Sequence, residues 1–271
     1  MHASYADLLA AAHLLADASA TAIRPHFRSN LAIENKHGAG GFDPVTAADR
    51  AAEVAIRTKL AELFPTHDVL GEEFASAAPV GSAASNYRWV IDPIDGTRAF
   101  ILGLPTWGTL IGVEENGKPV VGMMDQPFLG DRFWSDGKNA FLRQSEGPER
   151  IIRTRSTALA DAQLSTTSPE LFSAGLEQSV FAEVRRNVRA CRYGGDCYAY
   201  CLLAAGLIDV VLEAGLQPYD IVALIPIIEA AGGIVTDWQG GAASAGGRIL
   251  ACGDARVHQA VLEIIAACGG S

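Results

Sequence analysis

The chain has no basic run, no CxxC pair, no HExxH motif and no glycine fingerprint placed after a strand. Each absence removes a class of function. With 21 Lys plus Arg against 31 Asp plus Glu and a net charge of -10, the chain offers no footprint for a nucleic-acid backbone. The five cysteines, Cys191, Cys197, Cys201, Cys252 and Cys268, are odd in number and lack zinc-site or redox spacing, so they read as small core residues in a reducing cytoplasm. None of the six histidines falls into a paired metal spacing, and no catalytic role is assigned to them. The N-terminal stretch MHASYADLLAAAHLLADASATAIRPHF carries Asp7 and Asp17 and no basic leader, which predicts a helix rather than an export signal. Apolar runs are interrupted well short of the roughly 18 residues that a membrane span needs. Internal repeats and low-complexity tails are missing as well.

What the 271 residues do contain, 49% hydrophobic and 19% charged, is enough for one large core or two coupled ones. Apolar residues from Leu8 to Ile23 recur at helical spacing and should stop near Pro25. A loop around Lys36 follows, and Thr46 with Asp49 has the S/T-x-x-D/E form that opens a second helix over Ala47 to Leu63. HDVLGEE, RWVIDP, TLIGVEE and KPVVGMMD then read as strands with antiparallel pairing, Asn116-Gly117 marking a hairpin turn. The small-residue stretch FASAAPVGSAASN reads as an exposed loop. Beyond QSEGPER, helix-like and strand-like segments alternate in an α/β pattern. The expected division is an α+β N-terminal subdomain over 1–145 and an α/β C-terminal subdomain over 146–271.

Asp92-Pro93-Ile94-Asp95-Gly96-Thr97 stands at the end of the apolar strand RWVI, where functional loops sit. Two carboxylates three residues apart, with a main-chain carbonyl between them, can converge on a hard cation such as Mg²⁺, which takes oxygen ligands. Gly96 permits close backbone approach, and the N–H groups of Gly96 and Thr97 at a helix start offer an anion site for phosphate. Alone, the hexapeptide also reads as an ordinary Asp-rich turn. It is accompanied by Gly71-Glu72-Glu73 after the preceding strand and by Pro218-Tyr219-Asp220 ahead of an apolar helix.

Taken together, these motifs resemble the inositol monophosphatase-like, lithium-sensitive phosphatases, from Lys36 and Asp43 to Asp49 through GEE and DPIDGT to Ala230-Ala231-Gly232-Gly233. The resemblance covers nearly the whole chain and implies their αβαβα layered sandwich, of the inositol monophosphatase/fructose-bisphosphatase type. It also implies two or three Mg²⁺ ions per site, held by Glu72, Asp92, the Ile94 carbonyl, Asp95 and Asp220. Thr97, with Asp49 and Glu72, would orient and deprotonate the attacking water. Lys36 matches a lysine of the active-site loop and Glu73 a supporting carboxylate. A homodimer is implied on the same footing. Metals in such a site can activate water and stabilise the leaving alkoxide without a covalent intermediate.

Within the family the chain is most similar to the histidinol-phosphate phosphatases, through Gly96-Thr97-Arg98-Ala99-Phe100, Gly103 to Thr109, Gly195 to Tyr200 and Leu216 to Asp220. Arg98 and Tyr219 depart from the inositol phosphatase pattern. Asp196 and Glu213 are the candidates to hold the ammonium and imidazole of histidinol by charge-assisted hydrogen bonds, with Arg98 beside them. Tyr198 and Trp107 are candidates to stack on the imidazole, although buried aromatics more often belong to a core. Inositol-1-phosphate phosphatase and 3′,5′-bisphosphate nucleotidase are the alternatives. The D-x-D-G-T signature of aspartyl-phosphate enzymes is excluded, because its nucleophile position is filled by Pro93. A non-catalytic relative would be betrayed by a lost metal ligand or a lost Thr97, and every such position is filled.

Overall fold

The computed structural model describes residues 3–30, 33–35, 44–77 and 85–270. Helix α1 (Tyr5–Ile23) opens on a capping box between Ser4 and Asp7. A short antiparallel ribbon of β1 (Ile33–Asn35) and β2 (Pro44–Thr46) leads into α2 (Ala47–Leu63), opened by the expected box between Thr46 and Asp49. By length and composition α1 could cross a membrane, but Leu8, Ala12, Leu15 and Ala16 are buried in the core that α1 shares with α2.

The next ten elements are β3 (Asp68–Gly71), β4 (Ala75–Ala77), β5 (Tyr87–Asp95), α3 (Thr97–Ile101), β6 (Gly108–Glu115), β7 (Lys118–Gln126), β8 (Asp131–Ser135), β9 (Ala140–Gln144), β10 (Arg150–Ile152) and β11 (Gln163–Thr166). All of these strands except β11 form one eight-stranded sheet in the order β10-β9-β8-β7-β6-β5-β3-β4. Asn116 and Gly117 both take positive φ in the β6–β7 turn, the left-handed pair that a tight hairpin needs. The small-residue loop expected after Glu73 instead begins with β4, paired to β3, and residues 78–84 lie outside the described set. Because β10 is the edge strand of this sheet, the sheet runs on to Ile152, past the division expected at 145/146.

One pairing departs from the antiparallel expectation. Strand β3 runs parallel to β5, with Gly71 opposite Ile91. A parallel pair needs a connection longer than a hairpin, which the chain between Gly71 and Tyr87 supplies. Its consequence is functional, since the C-terminal ends of both strands now lie at the same edge of the sheet.

The remaining elements are α4 (Leu176–Asn187), β12 (Ala190–Tyr193), α5 (Asp196–Ala204), β13 (Val210–Leu216), α6 (Pro218–Ile221), α7 (Leu224–Ala230), β14 (Ile234–Asp237), β15 (Gly247–Cys252) and α8 (Ala255–Gly269). A five-stranded mixed sheet has the order β12-β11-β13-β15-β14. Side chains alternate across both sheets, so that each strand feeds two cores. In the large sheet Trp89, Ile91, Ile111, Val113, Val121 and Met123 face α1 and α2, while Leu110, Met124 and Phe133 face α5 and α7. In the small sheet Val211, Ile249 and Ala251 join that middle layer, and Val210, Leu212, Leu250 and Cys252 face α4 and α8. The result is the αβαβα sandwich. Burial on both faces accounts for the nearly unbroken apolar runs of the central strands.

Two glycines set the spacing between layers. Gly112 and Gly122 are partners across β6 and β7, and α6 and α7 rest on them. A Cβ at Gly122 would lie 2.1 Å from the Ala223 carbonyl oxygen, and one at Gly112 would lie 2.8 Å from the Val222 side chain. Only a bare backbone lets the Val222–Ala223 link between α6 and α7 approach the large sheet this closely.

Candidate active site

The parallel register brings Glu72 beside Asp92: the Glu72 N–H donates to the Ile91 carbonyl at 3.2 Å, and the two carboxyl groups are hydrogen-bonded. Asp92 and Asp95 would point to opposite faces of a regular strand, being three residues apart. They do not, because the β5–β6 pairing slips between Asp92 opposite Leu110 and Asp95 opposite Gly108, where three steps on β5 match two on β6. This bulge turns both carboxylates to one side. Pro93, which has no N–H for the ladder, sits inside it, and its carbonyl accepts from the Thr109 hydroxyl at 2.8 Å.

Asp220 arrives from the opposite layer on α6, its carboxylate accepting from the Gln217 N–H at 2.6 Å. Carboxylate oxygens of Asp92, Asp95 and Asp220 all lie within 4.8 Å of one another. Asp95 is steadied by the first turn of α5, where the Cys197 N–H donates to it at 2.6 Å. Burial and then the charges of Glu72, Asp95 and Asp220 hold the Asp92 carboxyl well above its usual range. Asp95 is raised in the same way, first by burial and then by Asp220 and Asp196. Crowded carboxylates that repel one another, with oxygen as the only donor element, suit a hard divalent cation such as Mg²⁺.

Beside this cluster Asp49 is 1% exposed. One of its oxygens closes the α2 capping box, accepting from the Thr46 N–H at 2.8 Å and the Thr46 hydroxyl at 2.6 Å. The other faces Thr97, whose hydroxyl stands 3.5 Å away and 3.1 Å from the Ile94 carbonyl. Burial, opposed by the Thr46 bonds, raises the Asp49 pKa. One carboxylate thus both caps a helix and faces the Thr97 hydroxyl. Gly96, at φ +83°, begins the single turn α3, and a Cβ there would meet the Asp196 side chain at 3.0 Å and the Trp107 backbone at 3.2 Å.

Asp196 and Glu213 line one cavity of about 220 Å³ together with Asp95, Asp220, Thr167 and Tyr200. Asp196 opens α5 at φ +43°, a left-handed conformation that asparagine and aspartate tolerate better than most residues. Burial lifts its pKa to about 6, against the hydrogen bond from Thr106 and the charge of Arg98, which is exposed on α3. Glu213 on β13 is 2% exposed and accepts from the Thr167 N–H at 2.6 Å, the Thr167 hydroxyl at 2.9 Å and the Thr166 hydroxyl at 3.2 Å. Burial pushes its pKa to about 7 in spite of those bonds.

For the two aromatic candidates the core reading holds. Trp107 is wholly buried and packs on Phe27 and Phe100, while Tyr198 packs edge-on to Phe133 and donates to Asp131. Both serve the cores, and neither lines the cavity. Lys36 lies outside the described residues. Glu73 is held through its N–H, which donates to Glu53 at 2.8 Å.

Glu53 itself was not singled out from the sequence. Fully buried on α2 and paired with Arg57 at 2.7 Å, it sits where a Cβ on Gly71 would fall, 2.0 Å from its oxygen, and so fixes the Gly71-Glu72-Glu73 turn. A charged residue on the apolar face of a helix was the available signal. Thr166 and Thr167, which hold Glu213, were missed because a Thr-Thr-Ser run reads as an ordinary turn.

Comparison with known proteins places this geometry in a family. The inositol monophosphatase family profile matches residues 4–269. The bifunctional phosphatase IMPL2 (chloroplastic) of Arabidopsis thaliana is 43% identical, with 94% of this chain and 73% of that protein aligned. A histidinol-phosphatase of Streptomyces coelicolor is 34% identical over 95% of this chain and 96% of its own. Among solved structures, an inositol monophosphatase from Zymomonas mobilis superposes with a TM-score of 0.84 at 39% identity, covering 98% of this chain and all of the other. The chain belongs to the inositol monophosphatase family of phosphatases.

Proposed function

We propose that this phosphatase is Mg²⁺-dependent and hydrolyses L-histidinol phosphate to L-histidinol and phosphate. The observation that carries the substrate reading is the cavity wall beside the acidic cluster. Asp196 and Glu213 face it, and no basic residue is among its described lining residues. Two desolvated carboxylates facing a cavity with no basic residue in its described lining suit an alcohol that brings its own positive charge, as an amino alcohol does and inositol does not. Relatives named as histidinol-phosphatases support the reading.

The chain's own residues divide the work. Glu72, Asp92, Asp95, Asp220 and the Ile94 carbonyl would hold the metal. When bound, Mg²⁺ supplies positive charge for the phosphoryl and leaving oxygens and acidifies water. Thr97, when its hydroxyl donates to Asp49, can turn its oxygen lone pair to an attacking water; the water's proton then passes to the Thr97 oxygen as the Thr97 proton passes to Asp49, a role the raised Asp49 pKa suits. The N–H groups opening α3 are left without helical partners and can receive phosphate oxygens. Asp196 and Glu213 would bind and orient the alcohol.

Phosphate release from histidinol phosphate, inositol 1-phosphate, adenosine 3′,5′-bisphosphate and fructose 1,6-bisphosphate, each with and without Mg²⁺, tests both halves of the proposal. Highest kcat/KM for histidinol phosphate, lost with chelator, is expected. Faster hydrolysis of inositol 1-phosphate would remove the substrate assignment and leave the metal-dependent one standing.

A further inference from the structure

Tyr200 lines the same cavity on α5, is 3% exposed, and has a hydroxyl with no hydrogen-bond partner among the described residues. The Trp107 indole N–H and the Gln126 amide nitrogen are in the same state, but neither residue lines this cavity. A buried hydroxyl left unmade costs about 1–3 kcal/mol relative to a satisfied one, so one at the wall of a substrate cavity calls for a partner there. The surroundings make this one conspicuous: Glu213, Asp95 and Asp220 are near enough to act on it electrostatically, yet none accepts its proton. Glu213 accepts instead from Thr166 and Thr167, Asp95 from Cys197 and Asp220 from Gln217.

We propose that Tyr200 is a substrate-contacting residue whose hydroxyl donates a hydrogen bond to a lone pair on the leaving alcohol. With histidinol phosphate the acceptor is the unprotonated ring nitrogen, while Asp196 and Glu213 take the cationic and N–H groups. The tyrosine thus complements the carboxylates, which can only accept, by supplying the one donor that an amphoteric ring requires. The assignment to histidinol rests on the substrate reading above. The donor role itself does not, since a hydroxyl of another alcohol could fill the same position.

The test is Tyr200→Phe in the Mg²⁺-loaded enzyme, assayed on whichever natural ester the wild type hydrolyses fastest and on p-nitrophenyl phosphate, together with thermal unfolding. Using the fastest ester keeps the Tyr200 result separate from the histidinol result, which the wild type alone decides. The expected outcome is a KM increase of about tenfold for the natural ester with a smaller change in kcat, and a clearly smaller loss on p-nitrophenyl phosphate. The melting temperature should stay level or rise, because the hydroxyl has no internal partner to lose. An equal loss on both substrates would place the hydroxyl at the phosphoryl group or the metal and overturn the proposal. So would unchanged kinetics, or a clear drop in melting temperature, which would mean that the hydroxyl is spent inside the fold.

Discussion

Replacing Glu213 by Gln should move activity and stability in opposite directions. The amide fills the same volume, its oxygen can keep the Thr167 N–H bond now 2.6 Å long, and its NH₂ can donate to the Thr166 hydroxyl oxygen. What disappears is charge. A charge-assisted hydrogen bond to the substrate contributes about 1.5–3 kcal/mol, so kcat/KM for histidinol phosphate should fall roughly ten- to a hundredfold. For p-nitrophenyl phosphate, which has no cation to bind, the fall should be much smaller. The stability argument starts from the shift in pKa from 4.5 to about 7 caused by burial. A carboxyl raised on folding supports the folded state fully only below its unfolded pKa, and that support is lost as pH rises through about 7. At about pH 8.5 the ionised group therefore costs the metal-free protein on the order of 3 kcal/mol, which Gln removes. Metal-free Glu213→Gln should melt above wild type at that pH, with the gap closing toward about pH 5, where the wild-type side chain is protonated. Steady-state kinetics on both substrates and scanning calorimetry at the two pH values check this. Equal losses on both substrates, or a lower melting temperature at the higher pH, would refute the reasoning.

Asp95→Asn should abolish turnover and the rise in melting temperature that Mg²⁺ produces in wild type, since ligand binding stabilises only a fold that binds it. Substantial Mg²⁺-dependent activity in this variant would remove the ligand assignment. Thr97→Ala should keep the Mg²⁺-induced rise yet slow hydrolysis by roughly 10²-fold or more, the scale of a lost general acid/base group. Rates equal to wild type would end its role in positioning water. Gly122→Ala drives a methyl group against a backbone oxygen, so it should destabilise by about 1–3 kcal/mol or more and lower kcat by displacing Asp220. Wild-type melting and activity together would show that α6 does not depend on this contact.

Much of this protein was legible locally. The capping pair Thr46 and Asp49, the Asn116-Gly117 turn and the periodicity of the first two helices are decided within a few residues, by groups that must satisfy neighbouring backbone donors or adopt positive φ. The chemical character of the centre was legible for a related reason. Oxygen ligands for a hard cation come as Asp and Glu, and the motifs GEE, DPIDGT and PYD announce them in the sequence.

What the sequence could not state is how distant groups meet. Glu72 reaches Asp92 only because β3 runs parallel to β5, and hydrogen-bond direction between strands is not written in either one. Asp92 and Asp95 share a side only because a bulge interrupts the two-residue alternation, and Asp220 joins them only because two glycines on the large sheet leave room for α6. The same holds for side chains whose character changes with burial. Glu53 and Tyr200 read as ordinary surface or core residues until the layers close over them. Trp107 and Tyr198 read as ligand-stacking candidates until packing claims them. Residue type sets which protons and charges are available, but desolvation and long-range packing, which depend on the whole chain, decide where they act.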